Sequence, residues 1–549
     1  GRDQIKVFHN AMFDWPFLEY TQGWHIGGEV HDTMLQHHTL YPEFPKDLGF
    51  CASLYTDEPY WKDLGKSEDV NERQRYNALD TAATAEIYQV LLHKLRGAGL
   101  SDVYERDRQM LPVAKRMALR GVRYDSEEAE RLKSRLIRDW KRWQLLLNRY
   151  SGLDKEQCQT IYDEWETRHK NTAKCGLNSG SHPQVSSLLY ETIGLPKQKK
   201  KDKKTGEQKV TTSQMKLLNL YPHITDRRAR RVVRALLYVR QARKMLSSYL
   251  KIKLGKDGRV RTSFGVSATE TGRWNASAFL IGMEGTNLQT VPPSWKSCFV
   301  ADEGKLLFYA DYSQIEARLV AYDAMDLDQI KVFEDPNGDI HKENAARITG
   351  KAIADVTADE RQVVGKTVHA LNYGIGPGTL AESINKHGLE TGIWVTEAFT
   401  KQVREKYLGL YKKVVAWQGR QWAEVKRTKT LTNHLGRRRI FLGPTKGQFS
   451  YATMGEAIAF VPQSDVPDML NIAMGRLDEI PWCELLLQVH DAVLGQLPED
   501  NLMDCAKQIK ELMTVPLLIR GRQCIVPVDI KVGKRWSELT KVEKYVKAS

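Results

Sequence analysis

Leu306-Leu307-Phe308-Tyr309-Ala310-Asp311-Tyr312-Ser313-Gln314-Ile315-Glu316-Ala317-Arg318 is the stretch on which the reading of this chain turns. Its first half is a continuous apolar run of strand length, which reads as a buried strand. After Ser313 apolar residues recur at helical spacing, at Ile315, Leu319 and Val320. Asp311 therefore stands where a strand gives way to a helix. A carboxylate there is costly unless it caps the helix, is paired or binds a metal.

A second stretch bears on that choice. Leu485-Leu486-Leu487-Gln488-Val489-His490-Asp491-Ala492-Val493-Leu494 is again an apolar strand run, interrupted by the polar pair His490-Asp491. Apolar residues resume at once, as in a tight strand-turn-strand hairpin. Two carboxylates at the ends of buried strands can hold a pair of divalent ions. Such pairs activate an attacking oxygen and stabilise a leaving one in phosphoryl transfer.

At 549 residues the chain exceeds one core and should split into several domains. Hydrophobic and aromatic contents of 41% and 9% are those of a globular protein. No window approaches the roughly 20 apolar residues that span a bilayer, so no membrane partner is expected. The chain opens at Gly1-Arg2-Asp3 rather than methionine and reads as a fragment, so a missing targeting segment carries no weight. Seven cysteines are scattered without C-x-x-C spacing, which fits reduced thiols in a cytoplasmic setting and disfavours a zinc site. Lys+Arg exceeds Asp+Glu, 82 against 68, for a net charge of +14. That excess points either to a polyanionic partner or to a solvated basic face.

Further segments carry chemistry or mark boundaries. Val7-Phe8-His9-Asn10-Ala11-Met12-Phe13-Asp14 leads into an apolar run, and Tyr76-Asn77-Ala78-Leu79-Asp80 opens a helical one. From about 105 the pattern is helical up to Gly121, which should close the helix in a left-handed conformation. Residues 126–149 read as a long amphipathic helix. Lys197, Lys199, Lys200, Lys201, Lys203 and Lys204 form either a disordered linker or a phosphate-tracking loop. Arg227, Arg228, Arg230, Arg231 and Arg234 lead a helix ending near Lys244 and Tyr249, with a solvated or phosphate-facing surface. Ile252 to Val266 reads as a hairpin turning at Asp257-Gly258. Then follow Thr271-Gly272-Arg273-Trp274-Asn275, Asn287-Leu288-Gln289, Gly338-Asp339-Ile340-His341, a helix carrying Arg361, Lys366, His369 and Tyr373, Gly436-Arg437-Arg438-Arg439, and Phe460-Val461-Pro462-Gln463. Lys366, His369 and Tyr373 stand at i, i+3 and i+7 and share a helix face.

In this order the motifs resemble family A DNA polymerases over roughly residues 105–549. Asp311 to Glu316 matches the family's first palm motif, and Val489-His490-Asp491 its last. Asn10/Asp14 and Tyr76/Asp80 resemble the second and third motifs of the family's 3′–5′ exonuclease domain; the first, a D-x-E, would lie upstream of Gly1. The resemblance implies a mixed α/β multidomain fold. A right-hand polymerase, with an antiparallel palm sheet and helical fingers and thumb, would follow the remnant of a ribonuclease H-like exonuclease domain. The expected division is 1–103 exonuclease-like, 104–265 leading helices and thumb, 266–345 first part of the palm, 346–450 fingers, and 451–549 second part of the palm.

The same resemblance implies template-directed addition of dNTPs to a primer in DNA replication. Asp311, Asp491 and the Tyr312 carbonyl would bind two Mg²⁺, and Lys366 would protonate leaving pyrophosphate. Glu316, His341, Arg361, Lys366, His369 and Tyr373 would contact the incoming nucleotide, with Glu316 excluding a 2′-hydroxyl. Arg273, Gln289, Gln463, Gln488 and His490 would contact primer and template. Asp14, Tyr76 and Asp80 would form an incomplete, inactive nuclease site. Three departures stand out. Ala492 replaces a common glutamate, so two essential carboxylates are expected. Lys366 falls one residue late, and either His369 or Ala370 occupies the place of the usual stacking aromatic. The exonuclease segment and the short helix around Lys366 resemble viral members most.

Two alternatives remain from the residues. A single-subunit RNA polymerase shares the carboxylates and the Lys/Tyr helix; Glu316 argues against it. A non-catalytic nucleic-acid-binding protein explains charge but not two carboxylates on core strands. For Glu316 the bland reading is a helix surface acid paired with Arg318 or a neighbour.

Overall fold

The computed structural model describes residues 4–150, 177–202, 205–249, 252–281, 284–443 and 449–548. Lys203, Lys204 and the side chain of Lys366 lie outside the described residues. The chain divides into two compact units, one of residues 1–126, 252–334 and 413–549, the other of residues 127–251 and 335–412.

The first unit is built on a five-stranded antiparallel sheet. Its order is Glu484–Val489, Ala492–Pro498, Lys305–Tyr312, Val528–Gly533, Thr540–Lys541. The quoted stretch supplies the middle strand, and Leu306, Leu307, Phe308 and Ala310 are fully buried there. The expected hairpin forms: Val489 pairs with Ala492, leaving His490-Asp491 as a two-residue turn. His490 has φ 58°, a left-handed backbone that costs a non-glycine residue free energy. The strand-to-helix change also falls where expected. Gln314 turns the chain with φ 54° and the helix Ile315–Ala324 follows.

The sequence Ile525-Val526-Pro527-Val528-Asp529-Ile530 alternates as a strand does, but the strand begins later, at Val528. Val528–Gly533 alternates buried and exposed residues, with Val528, Ile530 and Val532 inward. Near the N-terminus Lys6–Phe8 pairs in parallel with Val30–Asp32 across the helix Ala11–Gln22. The helical stretch before Gly121 is two helices, Ser101–Arg108 and Met110–Arg120. Gly121 ends the second with φ 62° but ψ −178°, so it adopts a different glycine-favouring conformation from the left-handed helical one expected.

One expectation fails. Residues 252–266 are not a hairpin: Arg259–Val260 pairs with Val122–Arg123, and Thr262–Gly265 pairs with Asn275–Ala278. The turn at Asp257-Gly258 exists, but residues 252–255 before it form no strand, and the two strands that follow it join different sheets. Cross-chain pairing buries more strand edge than the local hairpin could, and overrides the turn signal.

The second unit is mainly helical. Its core gathers Leu147, Val185, Leu189, Leu217, Val232 and Leu236. The expected amphipathic helix is Ser126–Tyr150, and the arginine-led helix is Arg227–Tyr249. Trp143 and Tyr238 stack with ring centroids 4.8 Å apart. Within the lysine run, Lys199–Lys201 form an exposed strand paired with Gln208–Val210, and Lys197 precedes it outside any strand. The helix Ala358–Asn372 opens on a capping box between Thr357 and Glu360, which satisfies two otherwise unpaired amides.

Candidate active site

In the first unit the sheet brings the two carboxylate segments together. Asp311 is the penultimate residue of the middle strand, directly opposite Ala492 on one side and Asp529 on the other. The Tyr312 amide donates to the Asp491 carbonyl at 3.3 Å, tying the hairpin turn to the end of this strand. Burial pushes the Asp311 carboxyl up to about 7, and the neighbouring Asp491 and Asp529 carboxylates add to the rise. Lys531 opposes it. Asp491 is raised as well, by burial first and then by Glu316. Two acids held this close resist joint ionisation until a cation neutralises them.

That donor set fits a divalent metal. Magnesium is commonly held by one or two carboxylates and completes its shell with water and substrate phosphate oxygens. Among the described residues no group of three or more His, Cys, Asp or Glu could hold a metal. Asp311 and Asp491 stand at the strand ends, with the Asp529 carboxylate acting on the first and Glu316 on the second, and Ala492 directly opposite Asp311.

Several other first-unit residues singled out from the sequence connect to this pair, Glu316 through its charge on Asp491 and Gln289 and Gln488 through the His490 turn. Glu316, in the first turn of its helix, accepts from the Arg273 guanidinium at 2.5 Å. Arg318 does not pair with it; Arg318 donates to the Ser313 and Phe333 carbonyls at 3.0 and 2.7 Å. Gln289 donates to the Gln488 side chain at 2.8 Å, and Gln488 donates to the His490 carbonyl at 2.6 Å. This relay ends on the turn that carries Asp491. Gln463 is half-buried on the helix Tyr451–Asp478.

The loop bearing Arg273 rests on a buried ion cluster. Arg437 is 4% exposed and donates to Asp107 at 2.8 Å and to Asp468 at 2.6 Å. Gly272 has φ +80°, and a Cβ on it would stand 2.6 Å from the Arg437 Nε. The Thr-Gly-Arg and Gly-Arg-Arg-Arg segments are therefore one structural device.

In the second unit His341, Arg361, His369 and Tyr373 occupy two consecutive helices. Asp339 caps the helix Ile340–Thr349, accepting from the His341 amide at 3.1 Å, and its other oxygen accepts from Arg361 Nε at 2.6 Å. Burial opposes ionisation of Asp339, but Arg361 and the helix amide hold its carboxyl below the usual range. Burial, then Arg361, lowers His341. His369 meets Tyr373 edge-on at 5.5 Å. Tyr373 lies one residue past the helix end, so the shared helical face is completed by a cap residue.

The N-terminal motif residues have other partners. Asp80 accepts from Lys62 Nζ at 2.6 Å and from Trp61 Nε1 at 2.7 Å, and Lys62 also donates to the Tyr76 hydroxyl at 3.2 Å. Burial, then the Asp32 carboxylate, raises Asp14. Asp32 itself accepts from the amides of Asn10, Ala11 and Met34.

The sequence reading missed Asp529, Lys531, Asp32, Lys62 and the Arg437 cluster. Strand alternation marked Asp529 as outward-facing, but only the strand register puts it beside Asp311. The Asp32-Thr33 step before a helical run carried a capping signal.

Comparison with known proteins gives a consistent picture. The profile described as DNA polymerase family A matches residues 150–538. The thermostable DNA polymerase I of Thermus filiformis is 29% identical, covering 88% of this chain and 55% of that protein. DNA polymerase I of Synechocystis sp. is 26% identical, covering 97% of this chain and 53% of that protein. The chain thus spans about half the length of these curated relatives. Among solved structures, the POL domain of Pol1 from M. smegmatis, in complex with DNA primer-template and dNTP, superimposes with a TM-score of 0.74 at 22% identity. The match covers 97% of this chain and 86% of that one.

Proposed function

This chain belongs to DNA polymerase family A, and on that premise we propose that it is a template-directed DNA polymerase, a nucleotidyltransferase that extends a primer 3′-hydroxyl with dNTPs in DNA replication. The observation that carries this reading is the pairing of Asp311 with Asp491 at the strand ends of one sheet, each raised by burial and by neighbouring acids. Lys531 and Arg273 offset only part of this rise, so the pair retains negative charge that a bound cation would neutralise.

Asp311 and Asp491, with the Tyr312 carbonyl as a further donor, would hold two Mg²⁺, which would supply acidification of the primer hydroxyl and neutralisation of charge on the transferring phosphate. Both carboxyls must lose their protons for this. Arg361, His341 and Lys366 bind the nucleotide's phosphates, and Lys366 gives a proton to pyrophosphate. His369 and Tyr373 line the base. Arg273, Gln289, Gln463, Gln488 and His490 contact primer and template, and the Gln289–Gln488–His490 relay keeps the Asp491 turn aligned with that strand. Alignment of this kind supplies much of the rate when the protein forms no covalent intermediate. Primer extension with Mg²⁺ and four dNTPs tests the reading. Asp311→Ala and Asp491→Ala should each abolish extension and leave duplex binding intact. Turnover within about tenfold of wild type in either variant would overturn it.

The further assignments are of the same kind. Residues 1–103 form a partial exonuclease-like domain, supported by the Asn10/Asp14 and Tyr76/Asp80 motifs, and the division of 104–549 into thumb, palm and fingers follows the motif order. The viral-type reading rests on His9 to Asp14 and the short helix Ala358–Asn372; the relatives named above are bacterial. A cytoplasmic setting is supported by Cys51, Cys298, Cys483, Cys505 and Cys524, which are buried free thiols.

A further inference from the structure

The second unit contains a cleft of about 390 Å³ whose wall carries Arg227, Arg230, Arg231 and Arg234 together with Tyr221 and Trp394. The four arginines stand at i, i+3, i+4 and i+7, one face of the helix Arg227–Tyr249. Among the described residues none of them is ion-paired to a carboxylate. Like charges at these spacings weaken a helix, and positive charge in its first turn opposes the helix dipole. The placement is therefore unfavourable until an anion arrives.

Two of the guanidiniums are already ordered. Arg230 lies over the Tyr221 ring at 4.9 Å and Arg234 over the Tyr238 ring at 5.6 Å. An ordered guanidinium loses less freedom on binding and presents a fork that fits phosphate oxygens. Trp394 packs on Tyr221 at 4.2 Å between centroids and remains half-exposed. It can lie so close because residue 388 is glycine: a Cβ there would stand 2.7 Å from the indole. The cleft thus offers phosphate forks beside an aromatic face. A free base can stack on such a face, whereas the bases of a duplex are stacked on one another.

We propose that this cleft binds single-stranded DNA, with consecutive phosphates on Arg227, Arg230, Arg231 and Arg234 and one base against Trp394. The proposal rests on the polymerase reading, in which template is single-stranded ahead of synthesis. A free nucleoside triphosphate shares the chemistry, so the test separates the two.

The full chain, in EDTA, is crosslinked by light to an oligothymidylate carrying 5-iodouracil, and the adducts are mapped by peptide mass spectrometry. Adducts should fall on Trp394 or Tyr221. Arg227→Ala/Arg231→Ala, which removes two exposed side chains, should keep the wild-type melting temperature, lower the crosslinking yield at least tenfold and flatten the log–log salt slope by about 1.4. Adducts mapped elsewhere, or an unchanged yield and slope in the double variant, would overturn the proposal. So would suppression by dTTP or inorganic tripolyphosphate at the oligonucleotide's own concentration, which would make the cleft a free-nucleotide site. Binding in EDTA needs no catalysis. A chain that extends primers but crosslinks elsewhere loses only the cleft, and a chain that crosslinks at Trp394 but extends nothing loses the polymerase reading.

Discussion

The Arg273 guanidinium lies 2.5 Å from the Glu316 carboxylate, and Glu316 is the more enclosed of the two, its side chain 14% exposed against 41%. The residue read as a primer contact therefore holds the residue read as a sugar gate. A carboxylate held by a charge-assisted hydrogen bond is restricted in orientation, which a steric gate needs and a solvated surface acid lacks.

Glu316→Ala should raise the relative use of ribonucleotides. A tenfold rise in kcat/KM for the ribo over the deoxy form corresponds to about 1.4 kcal/mol of lost discrimination. Single-nucleotide kinetics on a primed template measure the ratio. An unchanged ratio would remove Glu316 as the gate and return it to a merely structural partner of Arg273.

Acid–base behaviour gives a test without turnover. Asp311 is pushed up to about 7 by burial and by Asp491 and Asp529, whereas the unfolded carboxyl ionises near 4 (about 3.9). Between these values the folded state holds the extra proton, so this group's contribution to stability falls as pH rises from about 4 to about 7. Asp311→Asn should match wild type near pH 4 and exceed it above pH 7, by on the order of 2–4 kcal/mol at most. Thermal melts in EDTA across this range measure the difference. Added Mg²⁺ should stabilise wild type above pH 7 and leave the variant unmoved. A gap independent of pH would mean that Asp311 does not carry the strain.

Removal of a mismatched primer end, with Mg²⁺ and no nucleotides, should be negligible. Asp80 is neutralised by Lys62 at 2.6 Å, and Asp32 spends its oxygens on four backbone amides, those of Asn10, Ala11, Met34 and Leu35. Efficient trimming would show that Lys62 yields its place to a metal.

Gly272→Ala should destabilise the fold by roughly 2–4 kcal/mol, since it adds strain at φ +80° and drives a methyl into the Arg437 guanidinium. Urea unfolding measures it. A loss below about 1 kcal/mol would mean that the loop shifts freely over the ion cluster.

The middle strand, the hairpin and the helix after Ser313 were legible because each is a local pattern: apolar runs, a polar pair, a change of period. Asp311 and Asp491 stood out for the same reason, as lone acids in such runs. Asp529 did not, because an outward residue on an alternating strand looks solvated until the register sets it against Asp311. Asp80 was legible as a motif residue, but Lys62 was an ordinary basic residue in the sequence, and only the packing of Trp61 against the helix Val70–Gly97 brings it to Asp80. The failed hairpin at 252–266 shows the limit from the other side. Its turn chemistry was right, but strand partners are chosen by the whole chain.

The Arg437 cluster has a consequence for how the molecule comes into being on the ribosome. Asp107 receives its partner from a residue 330 positions later, and Asp468 completes the set later still. Domains that close on local contacts can fold as they emerge. Here the helix Ser101–Arg108 carries an acid whose Arg437 partner is made 330 residues later, with the neighbouring Arg106 alone to offset its charge until then. The nascent first unit must wait in an open state, and truncated products ending before Arg437 would expose the surfaces that chaperones and proteases recognise.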